Sequence, residues 1–277
     1  MATVVEGREG AAGHEEIHGD FILFDGLDNQ TYRGLHDTYA LSRFGQHHAT
    51  QPLRYSQHYA YEYEPMLADL GDDVHPLRHM PHTEEQIVRP FLDAQNSFLS
   101  DDTMPFTAEQ ATAMRVGAML HDIGEGEHPD IATAVGYTVG DVSWEVKVDP
   151  DHDSEVAVRQ YLYSQLYGDL PPELLAHAEQ VIVKSPDNLL GEAFNVVERI
   201  GYFKTAMRAG EVALRLARAE STMPSERQRQ LGNLAVRVSN FHYDFIQGQG
   251  AIYPMAARII RQHDRLHETI HKTLSES

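Results

Sequence analysis

Helical periodicity runs through most of the chain after residue 83 and leaves little room for a β-sheet. Apolar residues recur every three or four positions, the spacing that places them on one face of an α-helix. One such face carries Ile87, Phe91, Ala94 and Phe98. Similar patterns predict helices over 83–99, 153–167, 172–184, 190–219, 224–247 and 254–273. We therefore predict an all-α fold, a helical bundle around one core.

Two further features predict where helices start or bend. Thr107 is a typical N-cap residue, and Gln110 three positions later completes a capping box, so a helix should begin there. Its apolar face predicts that it ends near Gly124. Pro90 lies within 83–99 and lacks the N–H that a helix interior needs, so this helix should kink there or begin later.

No sequence feature divides the chain into several domains. Residues 1–20 are small, polar and rich in Gly and Ala, which predicts a flexible N-terminal tail. The rest of the sequence contains no internal repeat, low-complexity block or linker-like stretch. We therefore expect 21–277 to form a single helical domain.

The charge balance limits the classes of partner. The chain has 42 acidic against 22 basic residues, a formal net charge of −20. Such a chain repels the phosphates of a nucleic-acid polymer and the surface of an anionic membrane. A small phosphate substrate is compatible with this charge if a metal ion supplies the positive charge.

The composition also predicts a compartment. The chain has no cysteine, which excludes disulfides and thiolate zinc sites. No apolar run approaches the roughly 20 residues of a membrane span. The N-terminal stretch lacks an apolar segment of signal-peptide length. We expect a soluble, cytoplasmic protein.

The stretch MLHDIGEGEHPD, residues 119–130, gathers metal-binding and acid–base side chains at the end of a helix. His121 and Asp122 are adjacent, so their side chains point about 100° apart and both can reach one ion between helices. Imidazole with carboxylate suits Mn, Co, Zn, Fe or Ni. Glu125 follows one turn after His121, and Asp130 lies across a short loop. These residues predict a metal centre with further carboxylates beside it.

The sequence HDIGEGEHPDI resembles the signature of the HD superfamily of metal-dependent phosphohydrolases, and within it the branch of bacterial 5'-deoxynucleotidases. In that branch a Glu follows three residues after the Asp of the His-Asp pair, and an Asp lies nine residues after the His. Glu125 and Asp130 occupy these positions, while Pro129 replaces the glycine that precedes the second Asp. The resemblance covers about 75–210 and implies an HD-domain helical bundle there, with additional N- and C-terminal segments, the latter a helical extension over 211–277.

Upstream and downstream segments add to this resemblance. LRHMPHTEEQIV is similar to the family's first metal-ligand segment, which implies His82 as a ligand and Arg78 as a phosphate clamp. His79 is the competing choice of ligand. DHDSEVAVRQYL and LPPELL resemble the family's acidic helix and its later Leu-Pro turn. Lys184, in VIVKSPD, is a second candidate for binding substrate phosphate.

The fourth metal ligand departs from the family pattern. The family uses an Asp within a late helix, and GEAFNVVERIGYFKTA places Glu198 at that position. Glu can ligate the same ions through a longer arm. Asp187, eleven residues earlier, is the alternative.

The resemblance implies a function and a division of roles. The chain should be a phosphohydrolase with one divalent transition metal ion (Mn, Co, Zn, Fe or Ni, with Mg possible). Its substrate should be a nucleotide, either a 5'-deoxynucleoside monophosphate or a deoxynucleoside triphosphate. Glu125 and Asp130 should be the acid–base residues. Because the family tends to dimerise, we also expect a homodimer.

Two other functional classes stay open at this point. A di-iron oxygenase or a two-metal phosphodiesterase would need further histidines near the His-Asp pair, and the candidates are His128, His152 and His177. A catalytically silent nucleotide-binding module would explain Glu198 in place of Asp. A separate stripe in the last predicted helix is read as a solvated face or a dimer seam in preference to a metal site; it comprises His263, His267 and His271.

Overall fold

The computed structural model describes residues 27, 29–51, 72, 74–97, 106–126, 138–139, 142–143, 152–183, 188–218, 225–250 and 252–275. Within these ranges the chain is almost entirely helical, which confirms the predicted all-α class. The helices are α1 (Asn29–Leu41), α2 (Arg43–His48), α3 (His79–Thr83), α4 (Arg89–Ser97), α5 (Ala108–Leu120), α6 (His152–Leu166), α7 (Pro172–Val183), α8 (Leu189–Arg218), α9 (Ser225–Gly248), α10 (Pro254–Arg261) and α11 (Asp264–Ser275). A short antiparallel pair, Thr138–Val139 with Val142–Ser143, is the described β-structure.

Helix α5 lies between the two halves of the hydrophobic core. The predicted capping box begins it: the Gln110 N–H donates to Thr107 Oγ1 at 3.2 Å, and the Thr107 N–H donates to Gln110 Oε1 at 2.9 Å. On one side its buried residues, such as Met114, belong to the core cluster that also includes residues of α4 and α8–α11. On another side, residues such as Met119 belong to the cluster that includes residues of α1, α2, α6 and α7. Residues 121–124, which directly follow α5, are buried.

A glycine lets α7 come close to α5. A Cβ atom on Gly117 would lie only 2.7 Å from Val181 Cγ1, so a larger residue would push the two helices apart. This close approach contributes to the burial of the C-terminal half of α5, where Val116, Met119 and Leu120 are inaccessible to solvent.

Where the sequence predicted a kink at Pro90 or a later helix start, the structure has a wide helical turn just before the proline. Glu84–Val88 form a π-helical turn between α3 and α4, and the Arg89 N–H bonds to Glu84 O. Pro90 has no N–H to donate to the Gln86 carbonyl four residues earlier. The ammonium of Lys204 on α8 donates to that carbonyl instead, at 3.3 Å.

A buried carboxylate fixes the register between the α3–α4 segment and α5. Glu84 is fully buried and accepts from Arg89 at 2.8 Å and from Arg115 at 2.5 Å. The hydrogen bond to Glu84 raises the pKa of Arg89. The Arg115 guanidinium also lies 3.6 Å from the centre of the Tyr32 ring on α1. Because a buried charge is costly unless it is paired, this contact tolerates little slippage between the two segments.

The end of the chain differs from the prediction in two respects. The single helix expected over 254–273 is two helices, α10 and α11, with a break at Gln262 and His263. Two residues of the histidine stripe do not form a solvated face: His263 and His267 are half-buried and lie against the Phe203 ring of α8, while the side chain of His271 lies outside the described part. His267 also stacks on Tyr243 and contacts Asn240 Oδ1 at 2.7 Å. These histidines hold α11 onto the bundle.

In the described part of the chain, no helix has the length and apolar character that crossing a bilayer requires.

The buried His242 should make the fold sensitive to acid. Burial, and secondly the charge of Arg199, lower the pKa of His242 from 6.5 to about 3. Between these pH values the unfolded chain binds a proton that the folded chain does not, so stability falls as the pH falls. We expect wild type to lose about 2 kcal/mol more than His242→Phe between pH 7 and pH 5. Urea unfolding of both proteins at both pH values measures this difference, and equal losses would contradict it.

Candidate metal centre

Three side chains converge on one buried point. His79 begins α3, and His121 and Asp122 directly follow α5. The Nε2 atoms of His79 and His121 are 3.3 Å apart. Asp122 Oδ2 lies 3.2 Å from His121 Nε2 and 3.7 Å from His79 Nε2. All three residues are buried, and this group could bind a metal ion.

The separations suit a small transition-metal ion. A circle through three atoms spaced at 3.2, 3.3 and 3.7 Å has a radius of about 2 Å. A point near its centre therefore lies about 2.0–2.2 Å from all three atoms, the usual length of Zn–N and Zn–O bonds. Two imidazoles and one carboxylate form a donor set that zinc and its neighbours accept and that calcium does not favour.

The end of α5 orients the His121 ring. The last carbonyls of a helix have no partner within it, and His121 Nδ1 lies 2.8 Å from one of them, Ala118 O. A carbonyl only accepts, so Nδ1 carries the hydrogen and Nε2 presents its lone pair to the group. The partial negative charge at the carboxyl end of α5 also favours a cation at this point.

Helix α8 closes one side of the group with an aromatic ring. The Phe194 ring meets the His121 ring edge-on, with centroids 5.6 Å apart, and Phe194 is fully buried. An apolar wall keeps water away from this side and strengthens the interaction between the ligands and any cation.

The predicted acid–base residue Glu125 lies in the turn that directly follows the group. Residues Ile123–Gly126 form a 3-10 turn, and the Glu125 N–H donates to Asp122 O at 3.0 Å. Side chains three residues apart in such a turn lie on the same side, so Glu125 shares a side with Asp122. From the α2 end, Gln51 Nε2 donates to Glu125 O at 2.6 Å.

A histidine from α2 faces the Glu125 carboxylate. His48 is fully buried, and its Nε2 lies 3.7 Å from Glu125 Oε2. Tyr39 Oη donates to Ile123 O at 3.0 Å and therefore accepts from His48 Nδ1, which is 3.1 Å away. With Nδ1 protonated, the contact between Nε2 and the carboxylate is favourable only when a proton lies between them. His48 is thus the titratable side chain that faces the Glu125 carboxylate.

The structure places His79, not His82, in the metal group. His82 lies three residues further along α3 and is half-buried, facing α8 with Gln86. The physical reason is the helical register: Thr83, Ile87 and Phe91 continue the buried face in steps of four, and His79 is the next step back. His79, the alternative ligand in the same segment, therefore lies where the sequence analysis expected His82.

Two other predicted residues lie outside the group. Glu198 on α8 is half-buried and is not a member of the group, and the α8 side chain that contacts His121 is Phe194, four residues earlier. Arg78 precedes His79 but is exposed, and its guanidinium lies 3.5 Å from Asp72 Oδ1.

Some predicted residues fall outside the part of the chain that the structure describes. These are Asp130, Lys184, Asp187 and His128, together with the side chain of His152. His177, the remaining candidate for a second metal ion, is described and half-buried on α7. It is not a member of the metal-binding group.

The residues that hold Glu125 were not found from the sequence. Tyr39, His48 and Gln51 lie at least 74 residues before it, and their spacing repeats no helical or metal-binding pattern. The sequence feature that could have pointed to them is the Tyr- and His-rich composition of the region before residue 70. For His79, in contrast, extending the apolar face from Ile87 back by two steps of four would have been enough.

Comparison with known proteins finds no family model, no curated protein and no solved structure that matches the chain. The resemblance to HD phosphohydrolases therefore depends on short sequence motifs.

Removing a ligand from the group should abolish tight metal binding. We expect His79→Ala and His121→Ala each to raise the dissociation constant for Zn²⁺ or Mn²⁺ by roughly 100-fold or more, because each leaves only two protein ligands. His82→Ala, an equal truncation on the same helix, should bind like wild type. Competition against a chromophoric chelator gives the constants. Weak binding in His82→Ala together with wild-type binding in His79→Ala would restore His82 as the ligand.

Proposed function

We propose that this protein is a metal-dependent phosphohydrolase that acts on small nucleotides. The observation that carries the proposal is the buried group of His79, His121 and Asp122, with Glu125 fixed three residues beyond it. The reaction would release phosphate from a 5'-deoxynucleoside monophosphate, or the phosphates from a deoxynucleoside triphosphate. The choice of a nucleotide is supported by the motif resemblance, in which Glu125 stands at the position of the nucleotidase branch.

The donor set supports one divalent ion of the Mn, Co, Zn, Fe or Ni type in this centre. A divalent ion bound there supplies a Lewis acid that polarises a phosphoryl oxygen and makes an attacking water more acidic. His121 is prepared for binding by the Ala118 carbonyl, which holds its ring in the tautomer with a lone pair on Nε2. Among the three ligands, Asp122 supplies the negative charge.

Glu125 would move the protons of the reaction. Its carboxylate accepts a proton from the attacking water as the new P–O bond forms, and a proton passes to the leaving oxygen as the old P–O bond breaks. His48 can hold the proton that Glu125 exchanges, since its Nε2 faces the carboxylate at 3.7 Å. Asp130, by its position in the motif, is the second acid–base candidate.

Substrate phosphate would be positioned by cationic side chains near the ligands. Arg78 is adjacent to His79 in sequence, and its contact with Asp72 is an exposed ion pair at 3.5 Å. Exposed pairs of this kind are weak, so a phosphate can take the place of Asp72. An Arg fork matches two phosphate oxygens at once. Lys184 is the second candidate for binding substrate phosphate. The proposal also includes the homodimer and the cytoplasmic location that the sequence analysis predicted.

The proposal is tested by elemental analysis of the purified chain, run beside an activity panel. The panel measures phosphate and pyrophosphate release from ribo- and deoxynucleoside mono- and triphosphates with Mn²⁺, Co²⁺, Zn²⁺ or Mg²⁺ added. About one metal ion per chain and metal-dependent release from one nucleotide class is the expected result. Two irons per chain without release would favour an oxygenase. Absence of both metal and release would leave a nucleotide-binding module at most.

Glu125→Gln should separate metal binding from catalysis. The amide keeps the size of the side chain and the backbone contacts of the turn but cannot accept a proton as the carboxylate does. We expect kcat to fall by roughly 10²- to 10⁴-fold while the metal content stays at the wild-type level. Glu173→Gln makes the same chemical change on an exposed side chain at the start of α7 and serves as the control. Wild-type turnover in Glu125→Gln would remove Glu125 from the mechanism.

A further inference from the structure

A second polar cavity lies between α3, the π-helical turn, α8 and the junction of α10 with α11. Its volume is about 280 Å³. Its polar wall includes His82, Lys204, Arg208, Glu211 and His263. Arg208 and Glu211 are exposed, so the cavity opens to solvent.

This cavity is distinct from the metal centre. None of His79, His121 and Asp122 lines it. Gly201, which does, lies seven residues after Phe194, whose ring contacts His121. Seven residues correspond to roughly 10 Å along a helix. A ligand in the cavity therefore occupies a separate place.

The cavity concentrates positive charge in an acidic protein. The chain has a net charge of −20, yet the cavity wall has two cations and two imidazoles against one carboxylate, Glu211. Lys204 and Arg208 are four residues apart on α8, where like charges lie one turn apart on the same face and repel each other. An anion between them would remove this repulsion.

The fold keeps Lys204 at this position. The ammonium donates to the Gln86 carbonyl at 3.3 Å, the acceptor four residues before Pro90, which has no N–H to offer it. The charge of Lys204 acts inside the cavity: burial, and secondly this charge, lower the pKa of His263. The imidazole is therefore mostly neutral at pH 7 and can donate one hydrogen bond without adding a charge.

We infer that this cavity binds a small phosphate-bearing anion, with Lys204 and Arg208 as its charged contacts. A guanidinium fork and an ammonium are the side chains that recognise phosphate most often. The volume lies at the lower end of the range for ligand pockets, so the ligand should be a phosphate with a small substituent. Apolar side chains for contact with that substituent are Ile87, Met207 and Leu266.

The test uses inorganic phosphate as the probe and the full chain as the protein. Isothermal titration measures the binding of phosphate to wild type and to His121→Ala, in which the metal centre is disabled. We expect one phosphate per chain in the cavity, with the same dissociation constant in both proteins. ¹⁵N spectra of the histidine side chains follow the same titration and should show His263 shifting with saturation.

Charge variants locate the bound phosphate. Arg208→Gln and Lys204→Gln should each raise the phosphate dissociation constant about tenfold or more, because each removes a charged hydrogen-bond donor. Arg215→Gln is the matched control, since it removes the same charge from the same face of α8 two turns beyond Arg208. It should bind like wild type. Arg208 is exposed, so its replacement leaves the core unchanged.

The inference fails if wild type binds no phosphate, or if Arg208→Gln binds it as tightly as wild type does. Loss of phosphate binding in His121→Ala with retention in both α8 variants would place the anion at the metal centre and also overturn it. If the ¹⁵N signal of His263 in wild type does not move at saturating phosphate, the phosphate is not bound in this cavity, whatever the variants show. None of these outcomes counts against the metal-site proposal, so the two proposals can fail separately.

Discussion

The buried pairing of Glu84 with Arg115 is the contact on which the geometry of the metal group depends. The segment that begins at His79 and helix α5 run in opposite directions, so residues before Glu84 lie beside residues after Arg115. Five residues back on one segment and six forward on the other bring His79 to His121. A fully buried carboxylate held at 2.5 and 2.8 Å fixes this register more firmly than apolar contacts, which tolerate sliding, could.

The end of α5 then places two of the candidate metal ligands directly after a helix that packs in the core. A helix that ends inside the protein must find partners for its last carbonyls. Here the His121 ring provides one, and the same hydrogen bond that satisfies Ala118 O selects the tautomer that can bind a cation. The next turn is fixed through its carbonyls, by Tyr39 at Ile123 and by Gln51 at Glu125. The interactions that stabilise the end of α5 therefore also set the geometry of the candidate metal group.

The features that could be predicted from the sequence are those that neighbouring residues determine. The capping box at Thr107 and the apolar faces of the helices depend on residues three or four apart, and the structure has them where the pattern indicates. His121 and Asp122 were identified for the same reason. The contact of His48 with Glu125 joins residues 77 positions apart through tertiary packing, and no local pattern encodes it. The break at Gln262 was missed because the apolar spacing continues across it.

The choice between His79 and His82 shows why motif reasoning and packing must be combined. Both histidines belong to the segment that resembles a ligand segment, and only the register of the buried face separates them. That register continues through the π-helical turn before Pro90, because Thr83 and Ile87 stay buried on either side of its start. His82 and Gln86 are turned toward α8, where Lys204 donates to the Gln86 carbonyl. One helical segment thus contributes to two places on the protein: His79 on its buried face joins the candidate metal group, and Gln86 on another face holds a cation beside the neighbouring cavity.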